Sequence, residues 1–200
     1  MAKLSGGLTA RRARAGETIL ALNGKTYTLD ETMTVIADET QVHDIGGIMG
    51  GEHSGCSETT AEVLIEAAWF TPERIGATGR ALGINSDARA RFERGVDPQF
   101  VVPGLELATQ LVLDLCGGEA SELLVAGQIP DTSRSIAFRP ARVAELAGIT
   151  VADDEQEAIL TRLGFGVTRG PEGWQVAVPS WRRDVDGAAD IVEEVVRIHG

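Results

Sequence analysis

The chain has 200 residues, 43% of them hydrophobic and 24% charged, with a formal net charge of −12. That is the balance of a globular chain long enough to bury a real core, as one large domain or two small ones. The acidic excess excludes association with nucleic acid by bulk electrostatics alone. The opening MAKLSGGLTARRARAGE lacks the apolar centre of a secretory signal, and no apolar run reads as long enough for a bilayer. Cys56 and Cys116 form no CxxC pattern, which argues against a disulfide framework or zinc site. The expectation is a cytoplasmic chain with no membrane partner.

In chain order, ETILALNGKTYTLD is two alternating runs joined by Asn23-Gly24, a strong hairpin signal. TMTVIAD is a third strand, and QVHDIGGIMG runs from a strand into a glycine loop. EVLIEAAWF, Glu62 to Phe70, is apolar enough to be a buried central strand. Thr71-Pro72-Glu73 opens a helix with Pro at its first position. Asp97-Pro98 opens the longest helix, which Gly117-Gly118 stops after Cys116. In AGQIPDTSRS, residues 126–135, periodicity lapses into turn residues, and a domain boundary is placed there, dividing the chain into 1–131 and 132–200. The remainder comprises a strand SIAFR, helices PARVAELAG and DDEQEAILTRLG, two strands around RGPEGW and a final helix. This is a small α+β module of winged-helix look. The chain opens in mid-sheet and closes directly after a helix, so it reads as an excised piece, with Met1-Ala2 a cloning remnant.

Four stretches carry chemistry. GGIMGGEHSG has five glycines in ten residues around Glu52 and His53. It lacks the GxxxxGK[ST] or GxGxxG pattern of a phosphate cradle, so it reads as backbone lining a pocket. His53 has no HxxxH partner and no GxSxG elbow occurs, which leaves no metal or triad signal there. Glu66, a carboxylate inside the apolar LIEAAWF, either points to solvent by strand alternation or is a buried acceptor awaiting a donor such as a ligand hydroxyl. Arg80, Arg89, Arg91 and Arg94 either pair locally with Asp87, Glu93 and Asp97 or form a patch that touches phosphate backbone. On the final helix Ile191, Val195 and Ile198, with Val192 and Val196 beside them, share one face, and Asp190, Glu193, Glu194 and Arg197 the opposite one. With Asp184 and Asp186 before the helix, these acids are either ordinary capping charges or a set of oxygen ligands for Mg²⁺.

Taken together and in order, GGIMGGEHSG, EVLIEAAWFTPERI, GINSDARARFERGVDP and PSWRRDVDGAADIVEEVVRIHG resemble the bacterial phenylalanine–tRNA ligase β subunit over essentially the whole chain. The resemblance implies an α+β fold: a B3/B4-like editing domain with a mixed or antiparallel sheet, lacking its N-terminal part, followed by a winged-helix-like B5 module. It implies a piece of an enzyme that charges phenylalanine tRNA using ATP at its α subunit, the parent being a heterotetramer of two α and two β subunits. In that family the B3/B4 domain hydrolyses tyrosine wrongly attached to the phenylalanine tRNA. Glu66 matches the carboxylate that holds the tyrosine hydroxyl, Gly50 the pocket glycine that leaves room for substrate, and Ser86 and Ala88 the pocket wall, Ser86 standing where the family often has Thr. No general base is implied within this chain, and the family's pocket also uses residues, a histidine among them, from a segment upstream of its start. Asp184, Asp190, Glu193 and Glu194 match an acidic cluster that binds Mg²⁺ shared with the α subunit. The rival from another class is a non-catalytic scaffold that builds the subunit interface and guides tRNA.

Overall fold

The computed structural model describes residues 3–200. The chain divides into two units, one built from residues 1–96 and 100–125, the other from 97–99 and 126–200. The fold is α+β with antiparallel sheets throughout.

In the first unit β1 (Thr9–Arg12), β4 (Thr34–Ala37), β5 (Val42–Ile45) and β6 (Met49–Gly50) form a sheet in the order β1-β4-β5-β6. Strands β2 (Thr18–Leu20) and β3 (Thr26–Thr28) form a separate hairpin, Ile19 opposite Tyr27. Gly24 takes a positive φ of 75° in its turn, the conformation that the Asn-Gly pair supplies without strain. Val35 and Ile45 face each other across β4 and β5 and are fully buried. Their burial, with that of Leu29, Ile48 and Ile75, is the core that holds this sheet. Three helices complete the unit: α1 (Pro72–Leu82), α2 (Asp87–Phe92) and α3 (Val101–Cys116), the last preceded by a 3₁₀ turn at Pro98–Phe100. Helix α1 begins at the expected proline, and Gly83 ends it at a φ of 65°.

Two expectations need correction. Residues 62–70 form no strand: Val63 and Leu64 are about half exposed, and only Phe70 enters the core, against the ring of Phe92. Apolar content favours a strand, but a strand needs a neighbour's hydrogen-bond ladder, and β6 offers two residues that already face β5. The second concerns α3. With its leading turn it spans 19 residues at a mean hydropathy of 1.2, long and apolar enough by length and composition to cross a membrane. Glu106 and Asp114 lie within it, and a charge at bilayer depth is costly, so one such helix carries no argument for a membrane. None of its residues is buried; Leu107, Leu111 and Leu115 are open to solvent.

The second unit is a three-stranded sheet in the order β7-β9-β8, from β7 (Arg134–Phe138), β8 (Gly166–Gly170) and β9 (Gly173–Val178). Helices α4 (Ala141–Ala147), α5 (Asp153–Arg162) and α6 (Ala188–His199) pack with it around Phe138, Leu160, Val176 and Val195. Helix α6 buries Ile191, Val192 and Val195 as its period requires, but Glu194 is buried with them and Ile198 is left exposed. The apolar stripe of α6 is therefore interrupted by a carboxylate, which Arg182 and Arg197 pair. Leu160 is fully enclosed, so Leu160→Ala should destabilise this unit by about 2–5 kcal/mol, read as a lowered urea midpoint. An unchanged midpoint would show that the helices close over the cavity.

Candidate functional site

The glycine loop is shaped first by the protein's own atoms. A Cβ at Gly46 or Gly47 would stand 3.0 Å from the ring of Phe70, and Gly47 also carries a positive φ of 69°. A Cβ at Gly51 would lie 2.8 Å from the carbonyl oxygen of His43, to which the Gly51 amide donates at 2.7 Å. Gly50 abuts Leu22, whose Cδ1 is 3.1 Å from the position of an added Cβ. Close approach explains these glycines, and what approaches is Phe70, Leu22 and backbone. Ser86 joins α2 to the same loop: its hydroxyl accepts from the Arg89 amide at 3.0 Å, capping the helix, and donates to the Ile48 carbonyl at 2.7 Å. Ala88 lies in the first turn of that helix.

Beside the sheet lies a cleft of about 570 Å³, floored by Ile36, His43 and Asp44 and walled by the 54–66 segment, Glu66 included. Of the four residues matched to a substrate pocket, Glu66 lines this cleft; Gly50 and Ser86 belong to the glycine loop and its contact with α2, and Ala88 to α2 itself. Both readings of Glu66 hold in part. Its side chain keeps contact with water, while the crowding of the cleft wall desolvates its carboxyl and pushes it above the ordinary range.

Two further carboxyl groups, one behind the floor and one in it, carry no signal in the motifs above. Asp38 is enclosed and accepts hydrogen bonds from the amides of Ser5, Thr40 and Gln41, from the Thr40 hydroxyl, and from His43 Nε2 at 2.8 Å. The His43 bond, aided by those amides, holds the Asp38 carboxyl far below the usual carboxylate range. An ionised Asp38 fixes the proton on Nε2 of the ring and leaves Nδ1, buried and unpartnered, as the other edge. The signal was local: Asp38 followed by Thr40 and Gln41 is a side-chain-to-backbone turn, with a histidine at the start of the next strand. Asp44 is the second group. Burial, with Glu66's charge adding to it, pushes its carboxyl up to about 7, and its Oδ1 is buried without a hydrogen-bond partner. A carboxylate within VHDI should have raised the same question as Glu66 in LIEAAWF.

The arginine patch resolves towards local pairing at its centre. Arg89 meets Glu93 at 3.0 Å, donates to the Ile84 carbonyl and Asn85, and runs where a side chain at Gly79 would collide with it. Arg94, in the turn after α2, donates to the carbonyl of Ala90 within that helix.

The four acids matched to a metal cluster are not brought together. Arg182 binds both oxygens of Asp184 and also Glu194 Oε1 at 2.9 Å, while Arg197 takes Glu194 Oε2 at 2.7 Å. Asp190 accepts from the amides of Asp186 and Gly187, closing the N-terminus of α6, and Glu193 sits on its exposed face. Among the described residues no group of three or more His, Cys, Asp or Glu is placed to hold a metal ion. Mg²⁺ does not fit this arrangement, because two guanidinium groups already supply the positive charge that Glu194 requires.

The B3/4 domain family model matches residues 1–117, and the tRNA synthetase B5 domain model matches residues 136–200. The chain is 58% identical over 200 residues to a phenylalanine–tRNA ligase β subunit of Novosphingobium aromaticivorans, and 58% identical over 199 residues to that of Paramagnetospirillum magneticum. Each alignment covers 100% of this chain and 25% of the relative, so the chain spans a quarter of the length of these curated relatives. A crystal structure of an N-terminal fragment of the phenylalanyl-tRNA synthetase β subunit from Pyrococcus horikoshii aligns with 100% of this chain and 58% of its own. Its TM-score is 0.48 at 14% identity, a likeness too weak to bear on the site.

The charges generate two predictions. A carboxyl depressed on folding contributes stability that is present above its unfolded pKa and lost as pH falls through the folded one. Asp38→Asn should therefore lower the melting temperature most at neutral pH, with the difference from the parent shrinking as pH falls below 3.8. A difference independent of pH would place the effect in packing. Titration of the chain with millimolar Mg²⁺ should give no saturable heat and no melting shift; a one-site isotherm lost in Glu194→Gln would show that the arginines yield to the metal.

Proposed function

Because the chain belongs to the B3/4 domain family and carries a tRNA synthetase B5 domain after it, we propose that it is the proofreading region of a phenylalanine–tRNA ligase β subunit. Its substrate is tyrosine esterified to the phenylalanine tRNA, which it helps to hydrolyse. Phenylalanine and tyrosine differ by one hydroxyl, and an apolar synthetic pocket rejects an added hydroxyl only modestly, so a second sieve that requires the hydroxyl restores accuracy. The observation that carries this reading is Glu66: a desolvated carboxyl in the wall of a cleft roomy enough for an aromatic side chain. As an ionised acceptor it takes the phenolic proton in a charge-assisted hydrogen bond that phenylalanine cannot make. Gly50 and Ser86 act from outside the cleft, Ser86 by holding α2 against the glycine loop.

The parent activity is charging of phenylalanine tRNA with ATP in the cytoplasm, at an active site on the α subunit. The partners are that α subunit, in an assembly of two α and two β, and the tRNA, whose binding an acidic chain achieves through local patches and shape. The B5 module serves as a scaffold towards the α subunit. In this chain Asp184 and Glu194 act there by clamping Arg182 and Arg197 rather than as ready ligands; a magnesium ion shared with the α subunit would have to displace Arg182. One observation favours the scaffold reading for the first unit also: the exposed leucines of α3 form the kind of apolar face that interfaces cover.

The deciding experiment is deacylation of tyrosine-charged phenylalanine tRNA by the assembled ligase. Glu66→Ala should slow it by about 10- to 100-fold, the worth of a hydrogen bond to a charged group, while phenylalanine charging is unchanged. Equal hydrolysis by mutant and parent would leave the scaffold reading in place of this one.

A further inference from the structure

The cleft holds more polar chemistry than one acceptor for one hydroxyl needs. Asp44 projects from β5 at the position facing Ile36 of β4, and both line the cleft with Glu66. The Oδ1 atom of Asp44 is buried with no hydrogen-bond partner. His43 precedes Asp44 on β5, and its side chain is turned to Asp38 instead. A buried polar atom without a partner is costly, and one belonging to a residue that lines a cleft is the mark of a site completed by a ligand.

We propose that Asp44 is the second half of the hydroxyl reader: it stands protonated beside ionised Glu66 and donates to the phenolic oxygen whose proton Glu66 accepts. This rests on the proofreading reading above. A phenolic hydroxyl is both donor and acceptor, and a site that satisfies both functions selects it over bare phenyl more strongly than one that satisfies a single function. Two carboxyl groups sharing a small desolvated space do not both ionise, and the proton stays on the more enclosed one. Asp44 is that one. Its carboxyl, pushed to about 7, is about half protonated at neutrality and mostly protonated below it, whereas Glu66 keeps its water contact. The other charged or titratable groups facing the cleft are Lys3, whose ammonium donates to the Gly55 carbonyl at 2.6 Å, with Glu62, His43 and Cys56. No fixed cation touches Asp44 to favour its ionised form, and among the described residues no ion pair involves it. The assignment makes Asp44 a specificity-determining residue; it breaks no bond.

The test uses the assembled ligase and tyrosine-charged phenylalanine tRNA, with enzyme-free hydrolysis subtracted at each pH. Asp44→Asn keeps a donor that cannot ionise. Its kcat/KM should match the parent near pH 6 and exceed it by about tenfold near pH 8.5, where the parent has lost its proton. Asp44→Leu, apolar and of similar size, should lose about tenfold or more at both pH values, with melting temperature and phenylalanine charging as fold controls. Glu66→Gln runs in parallel. If Glu66→Gln impairs hydrolysis while Asp44→Leu behaves as the parent, or while Asp44→Asn tracks the parent's pH profile, Asp44 is not the donor and this inference falls alone. If Glu66→Gln is itself without effect, the proofreading reading falls and this inference with it.

Discussion

Much of the first unit depends on one buried carboxylate. Asp38 collects donors from Ser5, Thr40, Gln41 and His43, so a single ion ties the N-terminal segment, the β4–β5 turn and the cleft floor together. The arrangement is stable because a buried charge is tolerable only when its lone pairs are filled. It also decides the state of His43: the edge that serves Asp38 is spent, and Nδ1 is left buried without a partner.

Asp44 and Glu66 show the opposite solution to the same problem. Neither is neutralised by an arginine, and both are pushed towards their protonated forms by desolvation. Carboxyl groups left this way in a cleft are unfavourable for stability and useful for recognition, the common bargain of binding sites. The second unit resolves its acids differently. Glu194 breaks the apolar stripe of α6, yet Arg182 and Arg197 each give it a hydrogen bond, and Arg182 reaches on to Asp184. There the charges close on one another and lock the 179–187 segment to the helix; in the cleft they stay open.

The glycine loop links the two ideas. Its glycines read as room for a substrate, and in the folded chain the room is taken by Phe70, Phe92, Leu22 and the His43 carbonyl. Tight packing behind the loop is what lets Ser86 bond Ile48 and seat α2 beside it. The loop therefore supports the cleft from outside, and the groups that line it come from β5 and from the irregular segment after the loop.

Local pattern alone determined most elements: the Asn-Gly hairpin, the proline start of α1, the glycine stop of α3 and every strand and helix of the second unit. These are announced by backbone preferences and periodicity, which are legible within a few residues. Glu66 was likewise visible as a carboxylate in apolar surroundings, and the final-helix acids as a cluster on the polar face. What tertiary structure alone decided was pairing. Residues 62–70 are apolar enough for a strand but have no edge to join; Glu194 belongs to the polar face by periodicity but is drawn inward by two arginines. His43 acquires its role from Asp38 across a turn, and the Asp44 carboxyl is pushed up by burial, to which a carboxyl 22 residues away in sequence adds. Hydrogen-bond ladders, ion pairs and desolvation depend on which groups meet in space, and composition and spacing do not encode that meeting.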